Sequence, residues 1–533
     1  MHGQKIQKVL ALLLAFVAAV ALLPGQSASA LVSADPYYKY QWALKNDGSF
    51  STASETSSAK SVAGIDIGME NAWDLYSAGR PVVIALIDTG MDTANSDLSG
   101  HLWVNSGEIA GNGLDDDDNG YIDDVNGWNF RSGNNVLYTP GDDDHGTHCF
   151  GTMGAACNSV GIAGICGYTN NIKIMVLKAF SGSTNTGKTS DIIRAIQYAE
   201  ANGAAIVNLS IGVESYNAPL YDAIKASRML FIAAAGNHGA DSADKPLYPA
   251  SYDLDNIISV ANLDRDGTLH ASSNYGASVD IAAPGTSIIG YGGEGQMYYM
   301  TGTSMAAPMV TAAAALVYSC CTKLSLAQVR DVLLSSVRPL SALAGKVTTG
   351  GMLDVAAALA AGARLDAAKS VSFSDVKTSD WFYSYVTELA AAGYVAGYGD
   401  GTFRPANSVT VGEVLALVLT ASGNGAQAAT GAHWASGYRD KALSLGIADA
   451  AEVTDLDAAA SRLFIAHCVA RALKLTPDTA ASPFADVDDP YVTALYAAGY
   501  VAGSYDKAGN RVFLPDSNVK RSESSIMVWH MVF

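Results

Sequence analysis

The chain has 533 residues, and its 51 acidic against 32 basic side chains give a formal net charge of −19. Forty-nine per cent apolar content with 16% charged residues excludes a disordered chain, and at roughly 150 residues per domain the length predicts three or four domains. The acidic balance excludes nucleic acid and anionic membrane surfaces as partners, because no basic excess is available to displace counterions from phosphates.

Lys5 and Lys8 precede the apolar run Val9–Leu23, followed by Pro24-Gly25 and Ser27-Ala28-Ser29-Ala30. This is the layout of a secretory signal peptide over residues 1–30, with cleavage expected after Ala30. The run is short for a bilayer span. No later stretch is read as long and apolar enough to span a membrane, and from the signal-peptide layout the mature protein is read as secreted and extracellular.

From Pro81 to about Leu359, short β-branched runs alternate with helical stretches. Strands are predicted at Val82–Ile87, Ile172–Leu177, Ala205–Leu209, Leu230–Ala234 and Ile257–Val260, and helices at Asp191–Ala201, Leu220–Ser227 and Met309–Tyr318. The alternation predicts an α/β domain with a mainly parallel sheet covered by helices, its active site at the carboxyl ends of the strands. Six cysteines in so long a chain make no disulfide scaffold. A Cys157–Cys166 bridge stays open, and no CxxC spacing supports a thiolate zinc site.

The first strand runs into Asp88-Thr89-Gly90, and His145-Gly146-Thr147-His148 opens a helical stretch. Between them, Asp115, Asp117 and Asn119 alternate before Gly120, and Asp123 and Asp124 follow. Oxygen donors at that spacing begin a calcium loop, although Asn126 stands where an EF-hand carries its last Glu. From Asp115 to Asp144 there are nine Asp and one Arg, a net of −8 in 30 residues. Gly182–Thr189 satisfies the GxxxxGK[ST] phosphate-loop pattern. However, the next strand ends in Asn208-Leu209-Ser210, where a magnesium-holding carboxylate is expected, so nucleotide binding is rejected. Asn237 closes Ala233-Ala234-Ala235-Gly236-Asn237, and Gly302-Thr303-Ser304-Met305-Ala306-Ala307-Pro308 leads into an apolar helix. A hydroxyl nucleophile needs a base, and the base needs an orienting acid. Asp88, His145 and Ser304 supply the three, each at an element end.

In that order and with those motifs, residues 35–362 resemble the subtilisin-like serine proteases, the subtilases, which implies a three-layer α/β domain. The resemblance implies Ser304 as nucleophile, His145 as base, Asp88 as its orienting acid, and Asn237 with the Ser304 N–H as oxyanion donors. His148 is then structural. It also implies a substrate strand beside Ser210, Ile211 and Gly212, with Gly212 leaving room for peptide backbone and Gly236 on the facing segment. The specificity pocket is expected to be broad and apolar, with no charged residue overriding that. Asp97 matches a calcium-binding acid, and Cys149 resembles the free thiol that some members keep under the catalytic histidine. Many members carry a sizeable propeptide, whereas only a few residues here separate Ala30 from Asp35.

After about residue 365 the chain turns Ala-rich and repetitive. Ala391–Gly397 recurs unchanged as Ala497–Gly503, and Gly393, Gly446 and Gly499 are spaced by 53 residues, as are Tyr385, Tyr438 and Tyr491. With Phe373-Ser374-Asp375-Val376 and Phe484-Ala485-Asp486-Val487, these copies resemble S-layer homology (SLH) repeats at 371–421, 430–476 (degenerate) and 483–533, a mostly helical C-terminal domain. The resemblance implies binding of cell-wall polysaccharide through a Thr-Arg-Ala-Glu-like motif, of which Arg462 and Arg521 keep the cation. The combined expectation is an exported, cell-wall-associated serine endopeptidase with structural calcium, acting on protein or peptide substrates. The alternative is a surface-anchoring wall-binding protein whose protease domain is inactive.

Overall fold

The computed structural model describes residues 32–52, 59–184, 186–368, 371–425 and 427–533. The expected leader, residues 1–30, lies outside them. Contacts divide the chain into two units, with the boundary between residues 363 and 364. Each unit is described separately below.

In the first unit the β-branched runs become strands β1 (Val82–Asp88), β2 (Gly127–Asn129), β3 (Ile172–Lys178), β4 (Ile206–Leu209), β5 (Leu230–Ala234), β6 (Ile257–Leu263), β7 (Ile281–Pro284), β8 (Arg338–Pro339) and β9 (Gly351–Met352). They form one sheet in the order β8-β9-β7-β6-β5-β4-β1-β3-β2. Every pair is parallel except β8 with β9. The short strands β2, β7, β8 and β9 escape a reading based on apolar runs.

The strands read as continuous apolar runs because both faces are covered. Ala85, Ile87, Met175, Leu177, Val207 and Phe231 share a core with Ile192 of helix α2 (Thr189–Ala201) and Leu220 of helix α3 (Ala218–Ala226). Helices α1 (Asp144–Gly154) and α4 (Thr303–Cys320) make the third layer. By length and composition α4 does reach the measure of a membrane span, contrary to the sequence expectation. It is 83% buried inside the protein and is the core helix of this unit.

Chain order reverses at β1. From β1 the chain builds β3 on one side, then crosses to place β4 on the other. A crevice opens at such a reversal, at the carboxyl ends of the strands. Asp88 ends β1, and Ser210 and Gly236 lie just beyond β4 and β5.

The second unit holds three helix pairs at the three predicted copies. They are Tyr383–Ala391 with Val411–Ala421, Ser436–Ser444 with Arg462–Ala472, and Pro490–Ala497 with Arg521–Val532. The degenerate middle copy keeps the pair. Gly393, Gly446 and Gly499 all have positive φ (80°, 67° and 80°) just after the first helix of each pair, a left-handed helix ending that glycine adopts without strain. The Asp of each Phe-x-Asp-Val segment caps a distant turn. Asp375 accepts from Phe403 N and Arg404 N, and Asp486 from Phe513 N and Leu514 N, all at 2.7 Å. A ring of backbone bonds closes the three copies on one another: Val409 N to Val519 O (3.1 Å), Val519 N to Ala460 O (2.9 Å) and Ala460 N to Val409 O (2.9 Å). All three residues are buried.

Candidate active site

Asp88 is buried at the end of β1, where its Oδ1 accepts from Thr89 N and His145 Nδ1, each at 2.7 Å. His145 stands in the first turn of α1. Close packing sets its approach, because a Cβ on Gly146 would lie 2.0 Å from Gly90 O. Burial favours the neutral imidazole, but the Asp88 charge and hydrogen bond outweigh it and hold His145 above its ordinary 6.5. His148, one turn on, is buried and pushed down to about 4 by burial, and its Nε2 contacts Ile288 O at 2.9 Å. Of the two histidines, His145 therefore pairs with Asp88 and lines the cleft.

Ser304 lies in the first turn of α4, where backbone N–H groups have no partner within the helix. Its Oγ donates to Ser210 O at 3.0 Å rather than to His145. Pro308 has no N–H, so the Ser304 carbonyl four residues back lacks its helical partner. Ser210 Oγ fills that vacancy at 2.8 Å, with Cys149 Sγ at 3.4 Å. Ser210 Oγ is held in turn by Asn208 Nδ2 (2.9 Å), and Asn208 Oδ1 accepts from Thr311 Oγ1 (2.8 Å). The sequence reading named Asn208 and Thr303 only as parts of their segments and did not name Thr311; the bonds these three make were not anticipated, and an Asn inside an apolar strand was the available signal. Thr303 N and Oγ1 both donate to Asn237 Oδ1, at 2.9 and 3.1 Å. The Asn237 oxygen is thereby occupied, and its NH2 remains the available end of the amide.

A cleft of about 610 Å³ joins these groups. Its lining includes His145, Ser304 and Asn237, the wall Ser210–Glu214, the facing Gly236 and His238, and Leu247. Gly212 lines the cleft, and its lack of a side chain has a packing reason as well. A Cβ there would lie 2.2 Å from Leu247 Cδ2, so the glycine makes room for a packed leucine. At Gly236 a Cβ would meet Asn274 Nδ2 at 2.5 Å, and φ is 109°. The phosphate-loop look-alike forms part of the same lining through Gly182, Thr186 and Gly187. Asp142 Oδ1 accepts from Ser183 N (2.8 Å) and Ser183 Oγ (2.7 Å), so a carboxylate holds the donors a phosphate would need.

Cys149 is free and buried, and burial raises its thiol well above the ordinary range. Cys157 and Cys166 are also free, although Cys157 N bonds Gly167 O at 3.1 Å, so the chain does fold back between them.

The acidic insertion separates into distinct roles. Asp115 and Asp117 converge with Glu108, which the sequence reading missed; one ligand oxygen from each lies within 4.8 Å of the others. Asp123 instead accepts from the N–H groups of Gly111, Asn112 and Gly113. Asp124 is buried, held by Asn105, Asn119 and Tyr198. Asn119 spends its amide on Asp117 and Asp124. An all-oxygen, doubly or triply charged donor set fits a hard divalent cation. Asp97 is buried, accepts from Asn158 Nδ2 (2.9 Å) and Tyr291 OH (2.8 Å), and is raised by burial. Asp142 and Asp143 are ion-paired with Lys178.

In the repeat unit, Arg462 and Arg521 brace the copies. Arg521 donates to Phe403 O and Ala396 O, both at 2.9 Å, and Arg462 to Phe513 O at 2.9 Å. Arg521 also lines a cavity of about 390 Å³ with Trp434 and Glu413.

Comparison with known proteins places the chain in a family. The profile of the Subtilase family matches residues 79–367, and that of the S-layer homology domain matches residues 372–415. Subtilisin DY of Bacillus licheniformis is 32% identical over 262 residues, 48% of this chain and 84% of that protein. The thermophilic serine proteinase of Bacillus sp. (strain AK1) is 34% identical over 252 residues, 46% of this chain and 55% of that one. Subtilisin-like protease 1 of Plasmodium vivax is 31% identical over 349 residues, 60% of this chain and 53% of that one. The chain thus spans about half the length of the last two. A profile covering more than half the chain, over the sheet and cleft described above, establishes that the chain belongs to the Subtilase family.

Proposed function

We propose that this subtilase is an exported, cell-surface-associated serine endopeptidase. The observation that carries the reading is the 2.7 Å His145–Asp88 pair, set in one cleft with Ser304 and Asn237. Ser304 Oγ attacks the peptide carbonyl while His145 Nε2 takes its proton, giving a tetrahedral intermediate and then an acyl-enzyme. His145 returns the proton to the leaving amine and next activates water. Asp88 holds Nδ1–H and stabilises the imidazolium. Ser304 N–H and the Asn237 amide donate to the oxyanion. In the resting site Ser304 Oγ lies on Ser210 O. A substrate strand pairing with Ser210 would take that carbonyl and free the hydroxyl to turn towards His145, consistent with catalytic bonds that tighten only in the complex.

Calcium is the structural cofactor in this reading, at Glu108, Asp115 and Asp117; both oxygens of Asp97 are already taken by Asn158 and Tyr291. The carboxylate oxygens would neutralise the ion, and the ion would relieve their mutual repulsion. The SLH repeats attach the protein to wall polysaccharide, with Arg521, Trp434 and Glu413 around one cavity as the candidate contact.

Casein hydrolysis by wild type and Ser304→Ala, with calcium and with chelator, tests the reading. Full activity in Ser304→Ala would sink the mechanism, and indifference to chelator would remove calcium. Pull-down of the full chain on wall sacculi, with and without Arg521→Ala, tests attachment. The second reading, an anchoring protein with an inactive protease domain, draws on the Ser304–Ser210 bond and predicts sacculus binding with no casein hydrolysis.

A further inference from the structure

We propose that Glu214 makes this cleft selective for substrates carrying a basic side chain next to the cleaved bond. The inference rests on the proteolytic reading above. Three titratable side chains are on the cleft lining: His145, His238 and Glu214. His145 is committed to Asp88, which leaves Glu214 as the carboxylate of the lining.

Its position is fixed by the backbone. Val213 N donates to Tyr248 O at 2.8 Å and Tyr248 N to Val213 O at 2.9 Å, so Glu214 follows directly on an antiparallel bridge. On the opposite wall, His238 follows Asn237, and its N–H donates to the buried Asn274 Oδ1 at 3.0 Å. The two side chains face each other, with Glu214 Oε1 and His238 Nε2 3.7 Å apart. Between the walls, Gly212 and Gly236 both abut Leu247. The slot therefore has an apolar floor and a carboxylate at its mouth, beside Ser304 and Asn237.

A Lys or Arg side chain suits that combination. Its methylenes cover the leucine while its charged end reaches the carboxylate. A Glu side chain in the same slot meets Glu214 with like charge. The expected apolar, uncharged pocket is thus modified at its mouth. The Glu214 side chain is 81% exposed, so solvent screens it and the preference is modest, about two- to fivefold, and weakened by salt.

The test uses the full chain and internally quenched peptides identical except for Arg, Lys, Gln or Glu at each residue flanking the cleaved bond. The expected result is a kcat/KM ratio for Arg or Lys over Gln of about two to five at one flanking position, smaller at high salt. That ratio falls to unity in Glu214→Gln, and Glu214→Lys favours the Glu peptide instead. A wild-type ratio of unity at both positions, or a ratio that survives Glu214→Gln, would overturn the assignment. Wild type cleaving none of the peptides would overturn the proteolytic reading instead.

Discussion

Lys178→Met is the substitution that most directly tests how the helix carrying His145 is held. Lys178 ends β3 beside Asp88 in the β1–β3 register, and it is 3% exposed. Its Nζ bonds Asp143 Oδ1 and lies 3.1 Å from Asp142 Oδ2. Asp143 is fully buried and immediately precedes α1, two residues before His145. Burial pushes its carboxyl up to about 6 even though the ammonium pulls it down. Methionine keeps the length and removes the charge, leaving a buried carboxylate unpaired, a class of change that costs about 3–5 kcal/mol when the charge is retained.

The carboxyl can escape part of that cost by taking a proton. Its folded pKa lies above the unfolded value of 3.8. In wild type the contribution of Asp143 therefore falls as pH rises from about 4 to about 6, then stays level. Without the ammonium the folded pKa moves higher still, and the variant goes on losing stability above pH 6. The difference between variant and wild type grows by about 1.4 kcal/mol per pH unit, so by up to about 2.7 kcal/mol between pH 6 and pH 8. Urea unfolding in a Ser304→Ala background, which prevents self-digestion, measures it. Adding Asp143→Asn should abolish the pH dependence. Equal destabilisation at pH 6 and pH 8, or no effect of Asp143→Asn on the slope, would refute the reasoning.

Asn237→Ala should lower kcat by about 10²–10³ with little change in KM, measured on a peptide substrate, because one oxyanion donor is lost. His145 must be neutral to accept the Ser304 proton, and Asp88 holds it above 6.5. The acid limb of kcat/KM should therefore lie above pH 6.5, and in Asp88→Asn the residual activity should titrate at lower pH. Cys149→Ser should keep casein hydrolysis and lose sensitivity to mercurials; retained sensitivity would place the reactive thiol elsewhere. Arg521→Ala should lower the thermal midpoint of the repeat unit, because the bonds to Phe403 O and Ala396 O disappear. About 1–3 kcal/mol is expected, the range for losing charge-assisted bonds to carbonyls, and an unchanged midpoint would show the brace to be dispensable.

The sheet and the candidate triad were legible because their signals are local. Each of β1, β3, β4, β5 and β6 is a short run rich in β-branched and other apolar residues, and Asp88, His145 and Ser304 each sit at the end of a recognisable segment. The 53-residue period was legible for a similar reason, since each repeated Gly is a left-handed helix end that other residues adopt only with strain. Contacts between segments far apart in sequence were not legible. Glu108 joins Asp115 and Asp117 only after the loop folds, and Glu214 faces His238 only once β4 and β5 lie side by side. Arg462 and Arg521 read as free cations because the carbonyls they bind belong to other copies. The dense charge between Asp115 and Asp144 likewise read as one feature. In the fold it divides into an oxygen cluster at Asp115 and Asp117, Asp123 capping a backbone turn, Asp124 buried among side-chain donors, and Asp142 and Asp143 paired with Lys178.

Pro308 shows how a residue that weakens a helix can locate a candidate nucleophile. Placed five residues after the helix begins, it removes one backbone donor and leaves the carbonyl of Ser304, a half-buried residue at the cleft, without its helical partner. A carbonyl shielded from water and left without a partner is unfavourable, and the surrounding structure supplies one. It does so with Ser210 Oγ from the end of β4 and Cys149 Sγ from α1. The same carbonyl therefore ties together the helix of Ser304, strand β4 that leads into the cleft wall, and the helix of His145. Each of these elements must hold its register for the bond to be made, and each contributes one part of the candidate catalytic set. A carbonyl already satisfied by a helical N–H would impose no such coupling. In this fold Pro308 and Ser304 four residues before it thus act as one structural unit.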